Sequence, residues 1–200
     1  MGAKLTYVYG AMSSGKTTKL LQTRYNYISQ GHRVMIAKPE IDTKGDNKVV
    51  SRLGLSEKVD ILITPDSNLY KFFSICKDAE AQPKVILVDE AQFLSENNVN
   101  DLCDIVDILG IDVICYGIKL DSNGNMFEGS AALMAKADVL REEISICKCG
   151  RRATENLRFN TDTQEFILDG DTICIDGSNN NIEYVSMCRR CARKIRIGEE

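Results

Sequence analysis

Two hundred residues, 44% of them hydrophobic, suffice for one good core with a small appended module and are too few for two large domains. With 29 acidic against 25 basic side chains and a formal charge of −4, gripping a nucleic-acid backbone is disfavoured as the main task, whereas a small anionic ligand needs only a local site. No apolar run approaches the ~20 residues of a membrane span and the N-terminus enters a strand without a signal-peptide pattern, so a cytoplasmic protein is expected.

To about residue 146, short β-branched runs alternate with amphipathic segments, the pattern of an α/β protein with a mostly parallel sheet flanked by helices. Strands are predicted at Lys4 to Tyr9, Val34 to Lys38, Val59 to Ile63, Val85 to Asp89 and Val113 to Tyr116. Helices are predicted at Lys16 to Ser29, Ser67 to Glu80, Ser95 to Leu109 and Gly129 to Ala137. In the first helix Leu20, Leu21, Tyr25 and Ile28 recur at helical spacing, and Gly31 lies where it should stop. Gly45 to Lys48 reads as a mobile loop. After Glu143 the chain turns to short strands, cysteine pairs and polar turns, including Asp169-Gly170-Asp171 and Asp176 to Asn181. The expected division is a nucleotide-binding domain at 1–143 and a module at 144–200, whose core is small enough to call for a metal staple.

Gly10-Ala11-Met12-Ser13-Ser14-Gly15-Lys16-Thr17 follows the first strand and opens the first helix, which is the context of a phosphate-binding loop. Its glycines let backbone N–H groups wrap a polyphosphate, Lys16 neutralises β/γ oxygens, and Thr17 offers a hydroxyl to Mg²⁺. Val85-Ile86-Leu87-Val88 then ends abruptly in Asp89-Glu90, a Walker B pattern in which Asp89 holds Mg²⁺ beside Thr17. Glu90 is left to act as a base, orienting water in an ATPase or taking a proton from an acceptor hydroxyl in a kinase. A GTPase is disfavoured because no Asn-Lys-x-Asp motif occurs.

Of eight cysteines, Cys76, Cys103, Cys115 and Cys174 stand singly among apolar residues and read as small buried hydrophobes. Cys188-Arg189-Arg190-Cys191 has zinc-knuckle spacing, and Cys147-Lys148-Cys149 is a tighter pair. Together they read as four thiolate ligands of a structural Zn²⁺, a disulfide being at odds with a cytoplasmic protein. Basic side chains around these pairs leave a nucleic-acid-binding ribbon open, and an equal number of acidic ones in the module keeps charge alone from deciding.

The phosphate loop, Ser51-Arg52-Leu53-Gly54, Asp89-Glu90-Ala91-Gln92-Phe93, Tyr116-Gly117-Ile118, Phe127-Glu128-Gly129-Ser130 and Tyr184-Val185-Ser186-Met187-Cys188 together resemble the type II thymidine kinases, in order and over nearly the whole chain. The resemblance implies a RecA-like domain with a zinc-bound lasso module, usually a homotetramer. It implies ATP-dependent phosphorylation of the thymidine 5′-hydroxyl with Glu90 as general base, ATP and thymidine as partners, and neither nucleic acid nor membrane. It places Gly10 to Thr17, Arg52 and Asp89 to Gln92 at ATP and its phosphates, and Thr17 with Asp89 at Mg²⁺. Met12, Phe93, Phe127 and Tyr184 fall at the nucleoside, with the segment before Tyr184 closing over it. Three features depart from the family: the Cys-x-Cys spacing, Ser122 where a phenylalanine commonly lines the base pocket, and a longer Ile175 to Glu183 segment. The alternative is a P-loop ATPase whose zinc ribbon binds nucleic acid.

Overall fold

The computed structural model describes residues 2–43, 45–75, 82–168 and 181–198. Its elements in chain order begin with β1 (Leu5–Tyr9), α1 (Lys16–Ser29), β2 (Val34–Pro39), β3 (Lys48–Val50), β4 (Ser56–Lys58), β5 (Ile61–Ile63) and α2 (Leu69–Ser74). There follow β6 (Val85–Val88), α3 (Glu96–Leu109), β7 (Asp112–Gly117), α4 (Glu128–Lys136) and β8 (Val139–Glu142). The last are β9 (Ser145–Ile146), β10 (Arg152–Ala153), β11 (Glu155–Asn160), β12 (Glu165–Ile167), β13 (Ile182–Met187) and α5 (Arg189–Arg196).

Six strands form one sheet in the order β5-β2-β6-β7-β1-β8, every pair of neighbours parallel. An all-parallel sheet needs cover on both faces, which is why β6 is apolar throughout. Its residues alternate between the two covers: Ile86 and Val88 join Leu102, Ile105 and Leu133 on one face, Val85 and Leu87 join Leu20, Leu21 and Tyr116 on the other. The same alternation carries Asp89, two residues beyond Leu87, toward the α1 side. There Thr17 Oγ1 donates to Asp89 Oδ2 at 3.3 Å.

Local signals set the helices. Ser95 caps α3 by accepting from Asn98 N, the Asn98 side chain returns a bond to Ser95 N, and Gly110 ends the helix at φ 69°. Asn68 caps α2 in the same way through Lys71 N, and Asp101 Oδ2 accepts from Leu69 N at 2.6 Å. The expected helix there shortens to α2, and residues 76–81, with Cys76, lie outside the described residues. In α1 the buried face is Leu20 and Leu21, with Tyr27 partly buried behind them. Tyr25 and Ile28, expected on that face, are 67% and 44% exposed, because the helix rests on the sheet mainly through its first half.

Three departures from the predicted elements stand out. Lys48, assigned to a loop, starts an antiparallel hairpin, β3 and β4, whose turn presents Arg52. Val59 and Asp60 are not in a strand, since Asp60 bonds Ile36 through its backbone and its carboxylate before β5 begins. β8, not predicted, adds to the sheet edge beside β1, its Leu140 and Arg141 exposed there and so lacking the apolar run that marks an inner strand.

Beyond β8, β11 pairs with β12 and β13 in a small antiparallel sheet, and Ala153, Leu157, Met187 and Ala192 pack with Cys147 and Cys188. Ala11 of the phosphate loop belongs to this same cluster. The predicted turns at Asp169 to Asp171 and Asp176 to Asn181, and Cys174, fall wholly or almost wholly outside the described residues. Cys115 is fully buried in the main core and Cys103 packs at its margin, both as free thiols.

Candidate active site

At the carboxyl edge of the sheet, the phosphate loop, the β6 end, the β3–β4 hairpin and β13 enclose a cleft of about 500 Å³. Gly15 holds φ 85° at the N-cap of α1, a left-handed turn that brings the loop into the helix. Met12, Ser13, Gly15, Lys16 and Thr17 line the cleft, whereas Gly10 and Ala11 are buried behind it. Lys16 Nζ donates to Ala11 O at 2.9 Å, to Ser14 Oγ at 3.3 Å and to Gly10 O at 3.4 Å. Burial pushes the Lys16 pKa down from its ordinary value, against the pull of the Glu90 and Asp89 carboxylates. Arg52 reaches across from its hairpin to donate to Ser13 Oγ.

Asp89 is buried, and burial together with the adjacent Glu90 charge pushes its pKa up to about 7. The Asp89 carboxylate and the Thr17 hydroxyl beside it are oxygen ligands of the kind a hard divalent cation takes, and the Lys16 ammonium offsets carboxylate charge next to them. Glu90 takes a left-handed backbone, φ 48°, which turns its side chain out of the strand's alternation and into the cleft. Gln92 fixes it there: Gln92 Nε2 donates to Glu90 Oε2 at 2.6 Å, while Gln92 Oε1 accepts from Ile118 N at 3.2 Å. Ala91 is fully buried in the core below. The turn from Ala91 to Leu94 lies so close to α4 that a Cβ on Gly129 would stand 2.6 Å from Ala91 O and 2.7 Å from Leu94 O, so only glycine fits there. Tyr7 braces the opposite side by donating to Ile118 O at 3.0 Å, and its burial drives the phenol pKa well above the usual range.

Phe93 and Phe127 meet edge to face, 5.6 Å between centroids and 80° between planes, and line the cleft with Met12, Leu120 and Tyr184. This gives an apolar slot for a flat ring beside the Glu90 carboxylate. Ser122 also lines it, 7% exposed, and its hydroxyl has no partner among the described residues.

Asn156, which no sequence feature marks, and Ser186, inside the Tyr184 to Cys188 motif but without an assigned role, tie the second module to the loop. Asn156 Oδ1, on β11, accepts from Met12 N at 2.7 Å, and Ser186 Oγ, on β13, donates to Met12 O at 2.6 Å. A lone asparagine 144 residues downstream carries no local mark of such a role, and only the fold brings it to Met12.

The Cys147, Cys149, Cys188 and Cys191 sulfurs all lie within 4.8 Å of one another, so the tight Cys-x-Cys pair converges as fully as the wider one. Backbone N–H groups of Cys149 and Cys188 push the Cys147 thiol down to about 6, and that of Cys191 pushes Cys188 down. Cys191 is pushed the other way, up to about 12, by sharing protons with the Cys149 and Cys188 sulfurs. Four thiolates this close repel unless a cation sits among them, and four sulfurs in two turns suit a tetrahedral one.

A phosphate loop, a strand-end carboxylate pair and an apolar acceptor slot sharing one cleft define a P-loop phosphotransferase. A family model described as thymidine kinase matches residues 3–192. The chain is 42% identical over 189 residues to the thymidine kinase of Coxiella burnetii, covering 94% of each chain. It is also 42% identical to those of Rhodopirellula baltica and Pasteurella multocida, covering 94% of this chain and 86% and 95% of theirs. The chain belongs to the thymidine kinase family of nucleoside kinases.

Proposed function

We propose that this chain transfers the γ-phosphoryl group of ATP to the 5′-hydroxyl of thymidine, giving thymidine monophosphate and ADP. What carries the reading is that Glu90 stands in one cleft with the phosphate loop on one side and the Phe93–Phe127 pair on the other. The thymine ring occupies the aromatic slot, between Phe93, Phe127, Met12 and Tyr184, and the 5′-hydroxyl points at Glu90. As that oxygen bonds to the γ-phosphorus, its proton passes to Glu90, the bond from the γ-phosphorus to the β,γ-bridging oxygen breaks, and ADP leaves with that electron pair. Amides of Gly10 to Thr17 and the Lys16 ammonium hold the phosphates, Arg52 reaches them from its hairpin, and Gln92 keeps the base aimed. Thr17 and Asp89 would hold Mg²⁺, which when bound neutralises phosphate charge.

The boundary between domain and module falls near residue 144, and the four cysteines hold a structural Zn²⁺ that fixes β13, hence Tyr184, against the loop. Among the described residues no helix is long and apolar enough to cross a membrane, in keeping with a cytoplasmic enzyme. Exposed Tyr25 and Ile28 on α1 and Leu140 on edge strand β8 suit a homotetramer in which copies cover these faces.

The test is ADP release measured with thymidine, deoxyuridine, deoxycytidine or single-stranded DNA. Release is expected only with a nucleoside acceptor, fastest with thymidine, and Glu90→Gln is expected to lower kcat by ~10²–10⁴-fold while ATP still binds. ADP release independent of nucleoside, or full activity in Glu90→Gln, overturns the assignment.

A further inference from the structure

Leu120 lines the active cleft, and it also lines a second concavity of about 870 Å³ on the metal module. The walls of this groove include Lys119, Arg151, Arg152, Arg189, Arg190 and Arg193, with Glu155 as the one acid among the described residues. That acid is committed elsewhere: Glu155 is buried and pairs with Arg196 at 2.5 Å. Arg152 pairs with Glu142. The other five cations make no side-chain hydrogen bond or ion pair to any described residue.

Such a concentration runs against the chain's net charge of −4. Arg189, Arg190 and Arg193 stand on adjoining positions of one helix, where like charges repel. Arg189 and Arg190 open the first turn of α5 directly after Cys188, which also lines the groove. The two cysteine turns adjoin these residues: Arg189 and Arg190 lie between Cys188 and Cys191, and Arg151 and Arg152 follow shortly after Cys149. Among the described residues no aromatic ring lines the groove to stack a base, so recognition falls on its cations. Guanidinium forks match phosphate oxygens in geometry as well as in sign.

We propose that this groove is a second anion site, taking a small molecule that carries two or more linked phosphate groups. Its occupancy reaches the acceptor slot by two routes, the shared Leu120 wall and the bond from Arg196 Nη2 to Ser122 O at 3.1 Å. That coupling rests on the thymidine kinase reading; the binding itself does not.

The experiment is calorimetry of the metal-loaded full chain with inorganic tripolyphosphate. Two binding events per chain are expected. Lys16→Ala removes the one at the phosphate loop, and Arg189→Gln/Arg190→Gln/Arg193→Gln weakens the other by about tenfold or more, with a steeper loss as salt rises in the wild type than in the variant. Metal content and thermal melting report whether the triple variant folds, and Lys119→Gln/Arg151→Gln, outside α5, gives the same answer independently. Binding abolished entirely by Lys16→Ala, or a second event unchanged in both groove variants, overturns the proposal. A short single-stranded oligonucleotide that binds the groove more tightly than tripolyphosphate also overturns it, in favour of a nucleic-acid surface. Since no turnover is measured, failure here is distinguishable from failure of the kinase assignment.

Discussion

Gln92 Nε2 lies 2.6 Å from Glu90 Oε2, and the other end of the same amide accepts from Ile118 N, so one buried side chain ties the base to the loop after β7. Glu90 itself sits on a left-handed backbone, held by its surroundings and not by its own preference. Gln92→Leu, which keeps volume but removes both bonds, is expected to lower kcat by ~10-fold or more with little change in either KM. The two positions act as a unit, so Gln92→Leu added to Glu90→Gln should cause almost no further loss. Additive losses in steady-state kinetics of the double variant would refute this positioning role.

The clamp on Met12 should be felt at ATP. Asn156→Ala leaves Met12 N–H without its acceptor and removes the second contact of the Ser186 hydroxyl, 3.2 Å to the same Asn156 oxygen, while its bond to Met12 O remains. A fully buried amide left unpaired costs ~1–3 kcal/mol, and the half-buried Met12 amide falls at the low end of that range. Spent on loop order, this corresponds to a rise of about tenfold in KM for ATP. Kinetics with ATP varied at saturating thymidine check it, and Asn156→Asp, which keeps the acceptor oxygen, should restore most of the affinity.

The phosphate loop, the β6 edge and the cysteine pairs were legible because each writes its chemistry locally: a glycine-rich turn before a helix, a strand of four apolar residues before two acids, thiols in close pairs. What sequence could not reveal depends on pairing across distance. β8 carries exposed Leu140 and Arg141 because it is an edge, and so lacks the unbroken apolar run of β6. Tyr25 and Ile28 follow the helical period yet face outward, since periodicity identifies a stripe and not what covers it. Asn156 and Ser186 gain their role only when the antiparallel sheet carries them to Met12.

Removing metal should act on the cleft through that same sheet. Cys188→Ser with Cys191→Ser is expected to reduce bound zinc from one ion per chain to none, as read by elemental analysis. β13 leads directly into Cys188, so Tyr184 and Ser186 lose their anchor and thymidine KM rises along with that for ATP. Full zinc content in the double variant would show that the ion is held elsewhere.

Alkaline pH tests the docking of α1 when Tyr116→Phe is compared with the wild type, since buried Tyr7 and Cys115, whose pKa values are also raised, contribute equally to both. Tyr116 is buried at the sheet face beneath α1, donating to Thr23 Oγ1 at 3.1 Å, and burial pushes its pKa from 10.0 up to about 12 despite that bond. The folded chain therefore keeps this proton where the unfolded chain has released it, between pH 10 and about 12. In that window the unfolded state binds fewer protons, so stability falls as pH rises, and the contribution is fully present below pH 10. Two units correspond to about 3 kcal/mol. Tyr116→Phe loses the Thr23 bond, which lowers stability at pH 8 by ~0.5–1.5 kcal/mol, yet its urea midpoint should decline less steeply between pH 10 and about 12. Since α1 carries Lys16 and Thr17, the wild type should lose ATP binding over the same range in which the slope appears. Parallel midpoint curves for the two proteins would show that another group governs alkaline unfolding.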